Sequence, residues 1–379
     1  MSTPFYDLAS LVFLPSGYKS GKLYAQKPLT TDGQLAFTRA STATRVNASG
    51  LVEAVASGVP RLDYLNSTCP KLLLEPQRTN LVAYSEQFDN VYWTKQAGTV
   101  VTANQTISPD GTQNADLIVG TGNGIFISAL TVPSASPNTK SVYLKGVSGG
   151  EVVILQDPTQ TVNNTICNLT TSWQRFTLTE TQTGGAGGLW IAGIQAGGIY
   201  AWGAQLEAGA YATSYIPTLG ASVTRVADGA GTSDVFGTTF TLNADFGLYW
   251  EGVINGTLVY PCFYSGGNYA SGADFRSYFV YNGNTFQLFG VNEALTAQST
   301  IALSLGTPVK ILVKRVGSII KWYVNGTEYA NAVGATSTTV KIRSLFGSTL
   351  GAPNHESVAQ ALIFQTTLTD AQCIELTTI

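Results

Sequence analysis

Histidine occurs once in the 379 residues, at His355, and methionine once. A single imidazole offers little for a His-dependent triad, a multi-His metal site or a His proton relay. Charge is scarce as well: 11% of residues are Asp, Glu, Lys or Arg, against about 25% in typical soluble domains. So little charge excludes a charge-driven disordered chain, a coiled coil and a basic nucleic-acid binder. The surface must then be made of Thr, Ser, Asn, Gln and Gly. Cys69, Cys167, Cys262 and Cys373 lie far apart, which spells neither a CxxC zinc pair nor a disulfide framework, and four reduced thiols are expected. The apolar patch from Leu8 to Leu14 is too short to span a membrane. Met1-Ser-Thr-Pro-Phe-Tyr-Asp lacks the basic stretch that opens a signal peptide. Synthesis in a cytoplasm, without membrane insertion, is the expectation.

What is present is β-rich. The net charge of −3 divides into +3 over residues 1–78 and −6 over the remainder. Long amphipathic helical patterns are nearly absent. Instead, short runs of β-branched and aromatic residues recur between turn signals. Ser141–Lys145, Val152–Leu155, Trp173–Leu178, Leu189–Ala192, Phe246–Ile254, Phe275–Tyr281, Val309–Lys314 and Ile319–Val324 all read as strands. Asn325-Gly326 accepts the positive φ angles of a tight hairpin turn, as do Asn255-Gly256 and Asn282-Gly283. Strands at this spacing, without long helices between them, argue for antiparallel sandwiches.

The run Tyr215-Ile-Pro through Ala227-Asp-Gly-Ala-Gly-Thr-Ser233 suits a connector. A second change of texture falls near residues 65–75. The predicted organisation is all-β: an irregular N-terminal segment over 1–70, a sandwich over 71–226 and a second sandwich over 227–379.

Several runs resemble bacteriophage head-fibre, tail-fibre and related appendage proteins. They are Phe37-Thr-Arg-Ala-Ser-Thr-Ala-Thr-Arg45, Leu72-Leu-Leu-Glu-Pro-Gln-Arg-Thr-Asn-Leu81, Tyr84-Ser-Glu-Gln-Phe-Asp89 with Trp93, Ser108-Pro-Asp-Gly-Thr112, and Trp202-Gly-Ala-Gln-Leu-Glu through Tyr215-Ile-Pro217. Between them the chain resembles a carbohydrate-binding-module jelly roll, with Trp173-Gln-Arg-Phe176 as one of its inner strands. The C-terminal part resembles the concanavalin A-like (laminin G-like) sandwich. That resemblance rests on Trp322-Tyr-Val-Asn-Gly326, Val358–Phe364 and a short acidic helix from Thr367 to Glu375. Asp370, near the start of that helix, suits the positive end of its dipole.

Catalysis finds little support. Glycosidases need two carboxylates across the scissile bond. Glu251 has no acidic residue at 249 or 253, and His355 stands alone in a loop, so no catalytic residue, metal or cofactor is assigned. Asp228-Gly-Ala-Gly-Thr-Ser-Asp234 lacks the acid density of a calcium loop and reads as linker. Gly184-Gly-Ala-Gly-Gly188 lacks the Lys-Ser/Thr of a phosphate loop and reads as a flexible turn. Aromatics remain: Tyr260, Tyr264 and Tyr269 in a Gly/Asn-rich stretch, with Trp93, are glycan-stacking candidates. The other tryptophans read as core, Trp173 and Trp322 above all. Phe5, Tyr6, Leu11 and Phe13 lie in a segment too apolar and irregular to bury itself, and are expected to anchor the protein through partner contact.

The resulting reading is a structural or adhesive virion component, made in a bacterial cytoplasm and not an enzyme. Its N-terminus anchors it and its sandwiches project toward host surface polysaccharide. Expected partners are itself, as a homotrimer with a homodimer as runner-up, and other capsid or tail proteins, with no nucleic acid. A dedicated glycan-binding receptor is the alternative, with a depolymerase behind it. On this reading, deleting residues 1–65 leaves both sandwiches folded.

Overall fold

Alternation along the strands decides which faces close. In Phe246–Ile254, Phe246, Leu248, Trp250 and Ile254 share one buried cluster, while Tyr249 joins another on the opposite face. Both faces of this strand are covered, which is why it reads as a nearly continuous apolar run. A computed structural model describes residues 5–19, 21–29, 33–159, 163–182, 184–228, 240–242, 245–256, 263–264, 276–282, 285–292, 295–317, 319–333, 340–342 and 356–379. The chain forms two compact units. The first holds residues 1–40, 55–76 and 227–379, and the second holds residues 41–54 and 77–226.

The first unit is built on an eight-stranded sheet. Its strands run in the order Thr327–Val333, Ile319–Val324, Pro308–Val316, Phe246–Ile254, Glu356–Phe364, Lys71–Leu74 and Arg61–Asp63. Neighbours in it are antiparallel. Leu11–Phe13 is the eighth strand and also pairs with Glu356–Phe364, in the register Leu11↔Ile363. A four-stranded antiparallel sheet comprises Phe263–Tyr264, Arg276–Asn282, Thr285–Asn292 and Leu295–Ile301. Ile301 enters the same core as Trp250 and Trp322. Asn325 and Gly326 both take positive φ and close the expected hairpin. The C-terminal helix Asp370–Thr377 starts in a capping box of Thr369 and Gln372. Asp370 Oδ1 accepts from Lys314 Nζ (2.6 Å) and the Tyr323 hydroxyl (2.7 Å), and Oδ2 accepts from Lys321 Nζ (2.8 Å). Those bonds hold its carboxyl below the usual carboxylate range.

The second unit is a sandwich of two five-stranded antiparallel sheets. One sheet orders Thr94–Lys95, Ile125–Thr131, Ala186–Ala192, Val152–Gln156 and Asn164–Asn168. The other orders Val100–Thr106, Ala115–Val119, Ile199–Ala208, Ser136–Gly146 and Gln174–Gln182. Ile118, Ile125, Val142, Leu144, Leu155, Leu189 and Ile191 fill the space between them. Gln174–Gln182 is an edge strand, so the expectation of an inner strand at Trp173–Phe176 is corrected.

The chain crosses between units after Ala40, Ala54, Pro76 and Val226, the last of these inside the expected connector, and residues 1–40 and 55–70 belong with residues 227–379 rather than to a segment of their own. Residues 1–70 contain short strands, among them Leu11–Phe13, Lys22–Tyr24, Gln34–Ala36 and Arg61–Asp63. Leu11 and Phe13 are fully buried in the core that holds Trp250. They are therefore not available as anchoring or oligomer contacts. Phe5 is half-buried, and Tyr6, 50% exposed, donates its hydroxyl to Gln360 Oε1 at 2.9 Å. The apolar N-terminal side chains find their cover within their own chain, in the cores that hold Trp250 and Tyr249.

The linker reading of Asp228–Asp234 is corrected at Asp228, and residues 229–234 lie outside the described residues. Asp228 is buried and accepts from Arg39 Nη1 at 3.0 Å, from Arg61 Nη2 and from the Glu75 backbone N–H at 2.9 Å. Arg61 also donates to Glu75 Oε2 at 2.6 Å. Burial alone would depress the Arg61 pKa, but Asp228 and Glu75 beside it hold it above its ordinary value.

Candidate functional site

Trp93 is 1% exposed. Its ring packs 4.8 Å from that of Phe88, and its Nε1 donates to the Tyr84 carbonyl at 2.9 Å. An enclosed ring offers no face to a sugar, so Trp93 is a core residue. Tyr260, Tyr269 and His355 lie outside the described residues. Tyr264 lies on the strand Phe263–Tyr264, opposite Arg276. Glu251 Oε2 accepts from the Tyr249 hydroxyl at 2.8 Å and from Gln360 Nε2. Among the described residues, no group of three or more His, Cys, Asp or Glu is arranged to hold a metal. Burial pushes the Cys167 thiol up to about 11 and the Cys373 thiol up to about 12, well away from a reactive thiolate.

The runs that carried the resemblance are occupied in holding backbone. Asn80 Nδ2 donates to the carbonyls of Ala204 (3.1 Å) and Ile216 (2.9 Å), and its Oδ1 accepts from Val82 and Leu206 N–H. Gln205 Oε1 accepts from Ile216 N–H at 2.7 Å. Glu207 accepts from both the N–H and the hydroxyl of Thr213, at 2.8 and 2.7 Å. Arg225 donates to the Ser214 hydroxyl at 2.9 Å. These side chains tie residues 213–216 across the strand Ile199–Ala208. Their chemistry is architectural: buried donors and acceptors hold neighbouring backbone and side-chain groups in place.

A second buried polar group sits inside the same sandwich. Lys140, Asp157, Glu180 and Gln182 are all buried. Lys140 Nζ pairs with Asp157 Oδ2 at 2.9 Å and with Glu180 Oε1. One lysine faces two carboxylates, and burial, with Asp157 opposing Lys140, raises the Glu180 pKa. An acid whose folded pKa is raised supports folding below its unfolded pKa and loses that support as pH rises through the folded value. Glu180→Gln should therefore leave the acid-side stability almost unchanged and raise the thermal midpoint near neutral pH. Scanning calorimetry at pH 3.5 and 7.5 checks this; a lower midpoint at pH 7.5 contradicts it.

The outward face of the sheet containing Ala186–Ala192 is of a different kind. Because Ile125, Leu155, Cys167, Leu189 and Ile191 point into the core, the alternate residues point away from it. Register aligns Thr94, Phe126, Trp190, Gln156 and Asn164 in one row across all five strands. The Phe126 and Trp190 ring centroids are 6.1 Å apart at 60°. Ile154 and Ile166 form the adjoining row, with Ile166 61% exposed. Phe126, Trp190 and Gln156 are half-buried, and Thr94 and Asn164 are exposed. The Trp190 Nε1 is buried and has no hydrogen-bond partner among the described residues. Two aromatic rings flanked by a hydroxyl and two amides give an apolar platform with donors and acceptors at its sides. The sequence hid this row because Leu189-Trp-Ile-Ala192 is apolar at every position, so alternation gives no sign of which residues face out.

No family model and no curated protein matches the chain. Similar solved structures include CBM40 of the Ruminococcus gnavus IT-sialidase, bound to α2,3-sialyllactose. It is 14% identical with a TM-score of 0.30, covering 36% of this chain and 84% of that one. The CBM22-1 xylan-binding domain of Paenibacillus barcinonensis Xyn10C is 18% identical with a TM-score of 0.26, covering 36% and 94%. Its CBM22-1–CBM22-2 tandem is 13% identical with a TM-score of 0.26, covering 76% and 98%. These neighbours are carbohydrate-binding modules with sheet-rich sandwich folds.

Proposed function

We propose that this protein is a non-catalytic adhesive that binds neutral glycan on the row Phe126–Trp190–Gln156–Asn164. The row itself carries the reading. Sugar rings have apolar C–H faces that stack on aromatic rings, and hydroxyls that pair with amides. The runs resembling phage appendage proteins support a place on a virion, where homotrimeric copies, with homodimers as runner-up, would present several such faces to a host surface polysaccharide. Multivalent presentation raises avidity without new contacts.

The test is binding of the full chain to xylan, mannan and dextran oligosaccharides by calorimetry, with immunogold labelling of particles as its second arm. Trp190→Ala should weaken binding by about 2 kcal/mol, roughly 30-fold, while the thermal midpoint stays close to that of the parent. Gold should decorate particle appendages. Equal affinity in Trp190→Ala removes the proposed site; unlabelled particles remove the virion role.

A further inference from the structure

The other sheet of the same sandwich turns a charged ledge outward. Val142 and Leu144 point into the core, so Tyr143 and Lys145 point away from it. Register sets Leu117 beside Tyr200 and Tyr200 beside Lys145. Trp173 precedes Gln174, which pairs with Leu144, and so comes alongside Lys145 from the far strand. The Lys145 ammonium stands 5.5 Å from the Tyr200 ring centroid and 5.8 Å from that of Trp173. Trp173 is fixed by its Nε1 donating to the Ile107 carbonyl at 2.9 Å. Further along this face, Tyr215 covers Trp202 at 4.6 Å between centroids, and Thr213 covers Glu207. Leu117, Tyr200, Lys145 and Trp173 form a half-buried row beside them, with Trp173 packed on one side against the cluster of Val52, Ala115, Trp202 and Tyr215.

An ammonium has three donors and is strongly hydrated. Ring faces attract its charge but accept its hydrogen bonds weakly, and among the described residues Lys145 has no carboxylate partner. A cation without an anion, set between two aromatic rings, matches a ligand that pairs a flat apolar face with a negative charge. We propose that this ledge binds a carboxylate-bearing sugar. Lys145 takes the carboxylate, and Tyr200 and Trp173 bracket the ring. The site is independent of the Trp190 row, which carries no cation.

The test uses the full chain and two matched pairs: trigalacturonate against its methyl ester, and 3′-sialyllactose against lactose. The first pair probes a uronate source of the carboxylate, the second a sialate source. At least one acid should bind, about tenfold or more tighter than its neutral counterpart, with affinity falling as salt rises. Lys145→Met should abolish that preference, and Lys145→Arg should keep it, which separates lost charge from lost fold. Trp190→Ala should leave acid binding unchanged even if it abolishes neutral-glycan binding. Failure of both acids to bind, equal binding of acid and neutral forms, or an undiminished preference in Lys145→Met would each overturn the proposal.

Discussion

Removing residues 1–40 should unfold the unit that contains residues 227–379 and leave the sandwich of residues 77–226 standing. Leu11–Phe13 covers one stretch of Glu356–Phe364, and Lys71–Leu74 covers another. Without the first, the strand through Ala361–Ile363 loses a neighbour and the core loses Leu11 and Phe13. Full burial of a large apolar side chain is worth about 1.5–3 kcal/mol. Leu11, Val12 and Phe13, all buried, then account for roughly 5–9 kcal/mol, comparable with the whole stability of a typical domain, about 5–15 kcal/mol. Limited proteolysis should degrade residues 227–379 of the truncated chain and spare the residue 77–226 fragment. Protease resistance there would show that residues 227–379 close without their N-terminal strands.

Asp228→Ala should destabilise the same unit by about 3–5 kcal/mol, because removing one partner from a buried ion pair leaves uncompensated charge behind. Here Arg39 and Arg61 both lose a carboxylate, and the Glu75 backbone N–H loses an acceptor. Asp228→Asn, which keeps the shape and one acceptor oxygen, should recover part of the loss. Urea titration followed by tryptophan fluorescence measures it, since Trp250 and Trp322 report from this unit's core. A change in the extrapolated stability below about 1 kcal/mol would put the pair in the ordinary range of solvent-exposed bridges.

Local pattern was readable and distant closure was not. Phe246–Ile254 and Ile319–Val324 occupy the expected residues, because their alternation and the Asn325-Gly326 turn are written within a few positions. The role of Leu11–Phe13 depends on a partner some 350 residues away, in the register Leu11↔Ile363, and a three-residue strand carries no periodicity of its own. Asp228 sits in a Gly/Ala/Ser run that looks like linker, and its arginine partners, Arg39 and Arg61, are 189 and 167 residues away. At the candidate site the difficulty was different. Trp93, a glycan-stacking candidate in the sequence, is enclosed; Trp190 reads as core and stands half-buried on an outward face, while Trp173, also half-buried, packs against the cluster of Val52, Ala115, Trp202 and Tyr215. One-dimensional context cannot tell a ring pointing into a sandwich from one pointing out when both neighbours are apolar.

The interleaved path of the chain also sets a clock. Ribosomes deliver about 5–20 residues per second, so roughly 20–70 s separate the appearance of Leu11 from that of Ile363, its strand partner. The sandwich of residues 77–226 draws on chain that is complete by Val226 and can assemble during that interval. Phe5, Leu11, Val12 and Phe13 meanwhile wait on the nascent chain with their final cover unmade. In a burst of synthesis, neighbouring nascent chains expose the same unmated strand at once, and a chaperone that shields it until the last turn of the C-terminal helix emerges would govern the yield of folded protein.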